Sequence, residues 1–219
     1  MDGEALGEES YISKSRLEAL VDAVFAFAMT LLVISLTVPT IPKTEAAAEL
    51  PPYLASMAPQ FLSFLIAFFV LASFWVGHHK HFHYLRVVDR PLLWINLLIL
   101  VFVVLVPFTT NLSGDYSHVQ IATVFFHANL LFLGLLFFVQ WQYLLRHPVL
   151  DGTLPPALQE REVTLGGFNI IVSACTAIAI SFFTPSNSFY AYMIVPVAAR
   201  VLSLISRRRA EAHEKKTQE

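Results

Sequence analysis

Charged residues are scarce: 14% of the 219 residues are Asp, Glu, Lys or Arg, against about 25% in soluble domains. With a 56% hydrophobic share and a mean hydropathy of +0.63, that scarcity excludes an ordinary soluble domain and predicts a chain that lives in a bilayer. Cysteine is nearly absent. The lone Cys175 excludes an intrachain disulfide and leaves the compartment unreadable from thiols. The chain start lacks the basic run of a secretory leader: residues 1–15 hold Asp2, Glu4, Glu8 and Glu9 against Lys14, so the first apolar segment is expected to be retained. No internal repeat is visible, no soluble domain remains outside the apolar runs, and the net charge of −2 is uninformative about partners; no nucleic-acid partner is expected.

What is present is a series of greasy runs. A spanning helix needs about 20 mainly apolar residues, and six segments qualify, at residues 17–38, 53–76, 91–113, 118–145, 163–183 and 188–206. Pro39, Pro42, Pro51 and Pro52, then Ser113-Gly114-Asp115, then Pro185-Ser186-Asn187 are the expected separators. The fold class is therefore all-α: a polytopic membrane protein with six transmembrane helices per subunit. Residues 17–206 form the membrane domain, with 1–16 and a basic tail at 207–219 outside it. Pro107 and Pro196 fall inside the third and sixth spans, where each removes a backbone hydrogen bond and is expected to bend the rod.

Basic residues in short loops stay cytoplasmic. Lys14 and Arg16 precede the first span, Lys80, Arg86 and Arg90 fill the second loop, and Arg146 and Arg161 the fourth. Arg200, Arg207, Arg208, Arg209, Lys215 and Lys216 close the chain, whereas the opposite loops hold only Lys43. Both termini are thus expected in the cytoplasm, with the protein in the cell membrane. The Arg207-Arg208-Arg209 run suits an anchor on anionic lipid.

The first span keeps Arg16, Glu18, Asp22 and Thr30 at its leading end, and ionisable groups at membrane depth normally face protein or water. At about 100° per residue, Phe27, Leu31, Ile34 and Val38 share one stripe with Thr30 at its edge, while Asp22 sits about 140° away. One face suits a pore and another a polar contact. Ordinary helix packing would write the same stripe, and Asp22 is shallow enough to reach headgroup water beside Arg16.

The run His78-His79-Lys80-His81-Phe82-His83 is the main competing signal, because imidazoles suit zinc, nickel and copper. His79 and His83 would share a helix face, yet no Cys or clear carboxylate lies nearby to close a site. A cytoplasmic helix end carrying interfacial rings is the plainer reading, with His79 pairing inside the bundle. No metal or cofactor is assigned. Gln60, Asn96, His127, Asn129, Gln140, Asn169 and Arg200 are expected to bond between helices, or for Arg200 to snorkel.

The string Arg16-Leu17-Glu18-Ala19-Leu20-Val21-Asp22-Ala23, continuing through Val24-Phe25-Ala26-Phe27-Ala28-Met29-Thr30-Leu31-Leu32-Val33, resembles the first-helix signature of the endosomal and lysosomal potassium channel family. Its usual form is Arg, three variable residues, then Phe-Ser-Asp. Phe74-Trp75-Val76-Gly77-His78-His79, Trp94-Ile95-Asn96 and Val106-Pro107-Phe108-Thr109 resemble its later strings. Leu20-Val21 stands where the family has Phe-Ser, and Phe27 stands at an aliphatic constriction.

The resemblance implies a homotetrameric potassium channel with one six-helix unit per chain and no Thr-Val-Gly-Tyr-Gly filter. Phe27, Thr30, Leu31 and Ile34 would line and gate the pore, the apolar rings closing it by dewetting and Thr30 offering oxygens to potassium. Arg16 and Asp22 would be structural, pairing with Trp75, His79 and Asn96.

Two other classes compete. A secondary transporter of a cation or metal ion would use the histidine-rich segment, but paired interrupted helices do not stand out. An enzyme would need clustered acids, bases or nucleophiles at one depth, and none is visible. The topology predicts that a membrane-impermeant reagent leaves both termini of intact cells unlabelled; labelling of either from outside would overturn it.

Overall fold

The computed structural model describes residues 13–147 and 167–201. The described residues are almost wholly helical, in the order α1 Lys14–Leu31, α2 Ala46–Ser56, α3 Ala58–His83, α4 Arg90–Asp115, α5 Gln120–Arg146 and α6 Gly167–Ser181. A last helix, α7, occupies residues 191–201. Short 3-10 turns extend α1 over Leu32–Ser35 and lead into α7 over Pro185–Tyr190. At about 1.5 Å per residue, the 26 residues of α3 and of α4 and the 27 of α5 outrun a bilayer core of about 30 Å.

Of the expected six spans, the described residues contain four helices long and apolar enough to cross a membrane: α1 with its 3-10 extension, α3, α4 and α5. The 15-residue α6 is shorter, and the expected residues 163–166 and 202–206 of the last two spans lie outside the described residues, as do the segment 1–12 and the tail 207–219.

Three boundaries differ from expectation for local reasons. The second span does not begin at residue 53. Pro51 and Pro52 sit inside a separate helix, α2, which buries no residue, and the chain breaks at Met57. Pro59 explains the break, because it has no N–H to offer Ala55. Ser113-Gly114-Asp115 does not end the third span, since α4 runs to Asp115 and turns only afterwards. The first helix stops short of Val38: at Leu36 the backbone is extended, with φ −91° and ψ 92°.

Burial places α5 at the centre and α1 at the margin of the four long helices. α4 packs along both α5 and α1, and α6 packs along α5. Leu71, Leu92, Ile99, Val103, Phe126 and Leu130 make the middle of the core. In lipid, helix association rests on close packing and interhelical hydrogen bonds rather than on expulsion of water, and both are visible. Asp89 caps α4, its Oδ1 accepting from Leu92 N at 3.0 Å while Oδ2 takes the hydroxyl of Tyr143 on α5. At the other end His127 Nε2 meets Ser188 Oγ at 2.7 Å and Nδ1 meets the Tyr192 hydroxyl at 3.2 Å, tying α5 to the α6–α7 connection.

Gly114 lets α4 lie against α3: a Cβ there would stand 3.0 Å from Ser63 Oγ and 3.2 Å from Gln60 Cα. Gly114→Leu is expected to lower the thermal midpoint in detergent through an overpacking penalty of about 1–3 kcal/mol, and Gly114→Ala to lower it less. An unchanged midpoint for the leucine variant would mean that α3 and α4 do not meet at this point.

Candidate functional site

α1 is held along one side only. Leu17, Val21, Phe25, Ala28 and Leu32 recur every three or four residues, which is one helical face, and each is at most 2% exposed against α3 and α4. The opposite face is bare among the described residues: Phe27 is 65% exposed and Ile34 69%. Thr30 is exposed beside them and Leu31 is half-buried. The four residues expected on a pore thus lie on the uncovered side of α1, Leu31 at its border. Val38, expected on the same stripe, is 90% exposed but lies beyond the helical segment.

Leu31 is half-buried because it lines a groove of about 360 Å³ with Ala23, Val24, Phe27, Ala28 and, from α4, Val104. Thr30 differs chemically from its apolar neighbours. Its hydroxyl donates to Phe27 O at 2.8 Å, which uses the proton internally and leaves oxygen lone pairs for an outside partner. A face of two large apolar groups with an acceptor oxygen between them can exclude water while offering a cation one ligand per chain.

The polar residues named from the sequence fall into two groups. Trp75 Nε1 donates to Asp22 Oδ1 at 2.8 Å, joining α3 to α1, and the His79 ring stacks over Trp75 with centroids 6.2 Å apart. Arg16, exposed one and a half turns earlier, is not in that bond. Asn96 is not in it either, contrary to expectation. Its Oδ1 takes His78 Nε2 at 2.8 Å and Gln140 Nε2 at 3.1 Å, and its Nδ2 donates to Leu92 O at 2.8 Å. An amide oxygen only accepts, so His78 carries its proton on Nε2.

Of the adjacent pair the buried histidine is therefore His78, at 2% exposure, and His81 is buried as well, whereas His79, expected inside the bundle, is exposed. One residue is about 100° of helix. The clue was available: Val70, Phe74, His78 and Phe82 step by four along the buried face of α3. Lys14 was also read only as a topology signal, yet its Nζ donates to Leu85 O at 2.9 Å and pins the start of α1 to the α3–α4 turn.

The four histidines of the run are employed separately. His78 stacks on Phe82, His79 on Trp75 and His81 on Trp141, while His83 meets Tyr84 edge-on. Among the described residues no three of His, Cys, Asp or Glu converge in a way that could hold a metal ion.

Residues 16–107 match the model of a family described as endosomal/lysosomal potassium channel TMEM175. A potassium channel of Streptomyces collinus is 34% identical over 137 residues, which are 60% of this chain and 64% of that one. An endosomal/lysosomal proton channel TMEM175 of Mus musculus is 28% identical over 157 residues, 68% of this chain and 31% of that one. Among solved structures, a lysosomal potassium-selective channel TMEM175 homologue from Chamaesiphon minutus superposes with a TM-score of 0.67 at 29% identity, covering 87% of this chain and 97% of that one.

Removing the carboxylate of Asp22 strands the Trp75 N–H at the α1–α3 contact. Asp22→Ala is expected to reduce the yield of assembled protein extracted from membranes, and Asp22→Asn, which keeps an acceptor, to reduce it less. Full yield of the alanine variant with undiminished ion flux would refute a structural role.

Proposed function

We propose that the chain is a member of the TMEM175 family, whose model matches residues 16–107, and that it forms a potassium channel, four copies surrounding a pore lined by α1. The observation that carries this reading is the bare face of α1, with Phe27 and Ile34 exposed and the Thr30 oxygen between them. Four such faces turned to a common axis stack two apolar rings around a ring of hydroxyl oxygens. The apolar rings gate by dewetting when narrow, and the oxygens replace part of the water around a weakly hydrated cation. Arg16, Asp22, Trp75, His79 and Asn96 are structural in this reading. The Asp22–Trp75 bond fixes the rotation of α1 against α3, and Asn96 joins α3, α4 and α5.

The proposal extends to the topology: α6 and α7 cross the membrane with the four long helices, residues 17–206 form the channel domain, and 1–16 and 207–219 lie in the cytoplasm beneath the cell membrane, as the distribution of basic residues suggests. Conduction needs no cofactor and no chemistry, so the protein is not an enzyme. The transporter alternative drew on the histidine run, and the separate employment of its four rings removes that support. A proton-conducting reading stands second, favoured by the name of the mouse relative.

The test is flux into liposomes holding the purified protein, for wild type and Phe27→Ala, with potassium, sodium and a proton gradient in turn. Potassium flux exceeding sodium flux, and rising at least about tenfold in the variant as a barrier of about 1.4 kcal/mol is removed, is the expected result. Proton flux alone would favour the second reading, and no flux of any ion would end both.

A further inference from the structure

We propose that Asn129 is a positioning residue for the gate on α1, acting through the proline break in α4; the inference rests on the channel reading above. Pro107 lies within α4 and carries no N–H, so the carbonyl of Val103 loses its usual donor. A membrane helix tolerates such a break where neighbouring groups take over the disturbed backbone. Here polar side chains bond the carbonyls that flank the break, Phe102 O before it and Val106 O at it, rather than Val103 O itself. Thr109 Oγ1 donates to Val106 O at 3.1 Å and Thr110 Oγ1 to the same carbonyl at 2.7 Å. From α5, Asn129 Nδ2 reaches Phe102 O at 3.3 Å and Thr109 Oγ1 at 3.3 Å. One amide thus joins the turn before the proline to the turn after it.

The partners fix the direction of that amide. Both threonine hydroxyl protons are already given to Val106 O, and Phe102 O can only accept, so a reversed amide would set oxygen against oxygen. The consequence is visible at the other end of the group, where Asn129 Oδ1 is buried with no donor among the described residues. An apolar side chain at this position would carry no such penalty. Asn129 leaves an acceptor bare while holding both sides of the break.

The segment it holds is the one that α1 rests on. Val103 and Val106 are fully buried, α4 is the principal neighbour of α1, and Val104 forms the α4 side of the groove that Phe27 and Leu31 line. A change of bend between Phe102 and Thr109 moves the wall behind Phe27 and Leu31, and with it the width of the apolar ring.

The experiment is a double-mutant cycle, because Pro107→Ala restores the N–H and removes the break. Potassium flux into liposomes and amide hydrogen exchange in α1 are measured for wild type, Asn129→Leu, Pro107→Ala and the double variant, with Asn129→Ser in place of the leucine if that variant does not fold. Asn129→Leu is expected to change flux by at least about threefold, the scale of one interhelical hydrogen bond in a membrane, and to change exchange in α1. Both effects should vanish in the Pro107→Ala background. An equal effect in the two backgrounds, or none in either, overturns the proposal. If no protein conducts, the channel reading falls. Exchange in α1 then decides whether Asn129 positions that helix through the break: a change confined to the proline background supports it, and any other pattern overturns it.

Discussion

The structure depends on α1 being gripped from one side. Leu17, Val21, Phe25, Ala28 and Leu32 are packed into α3 and α4 to near-complete burial, whereas Phe27 and Ile34, on the same helix, have no covering element among the described residues. Lipid would satisfy that apolar face, so exposure by itself does not identify its partner. Thr30 makes the difference. A hydroxyl whose proton is turned inward to Phe27 O presents oxygen outward, and hydrocarbon offers oxygen lone pairs nothing. The likeness to the TMEM175 family and this one polar group on a greasy face both favour the proposed axis where copies meet around an ion.

The polar contacts are sorted by depth and by helix pair. Lys14 on Leu85 O and Asp22 with Trp75 hold the early part of α1. The Asn96 network with His78 and Gln140 locks α3, α4 and α5 beneath it, and His127 with Ser188 and Tyr192 fastens the opposite end of α5. Between these fixed points lies the middle of α4, interrupted by Pro107 and spanned by Asn129. A proline-interrupted stretch of backbone therefore faces the helix proposed to gate.

Composition and the spacing of apolar runs made the helical membrane class legible, together with the places of the four long helices, because a bilayer demands long uninterrupted apolar stretches and writes them openly. Local backbone chemistry was less legible. Pro51 and Pro52 read as loop markers but sit inside a helix, and the effective break comes from Pro59. Facing was the least legible. His78 and His79 are chemically identical, and only the four-residue step through Phe74 and Phe82 assigns the buried position to His78. The pairing of Asp22 with Trp75 joins residues 53 positions apart. It entered the sequence analysis through the family resemblance, since nothing local in either segment points to the other. Asn96, expected from its place in an apolar span to bond between helices, does so, but with His78 and Gln140 rather than with Asp22 as the resemblance implied, because a family string marks a residue as structural without naming its partner.

The central claim is that the bare face of α1 is covered by copies of itself around a common axis. Native mass spectrometry of the detergent-extracted protein tests it most directly, without reference to ion flux. The account predicts a dominant species of four times the 24.6 kDa chain that dissociates when Phe27 and Ile34 are both replaced by Lys. A monomer that persists across mild detergents would leave the face to lipid and contradict the pore.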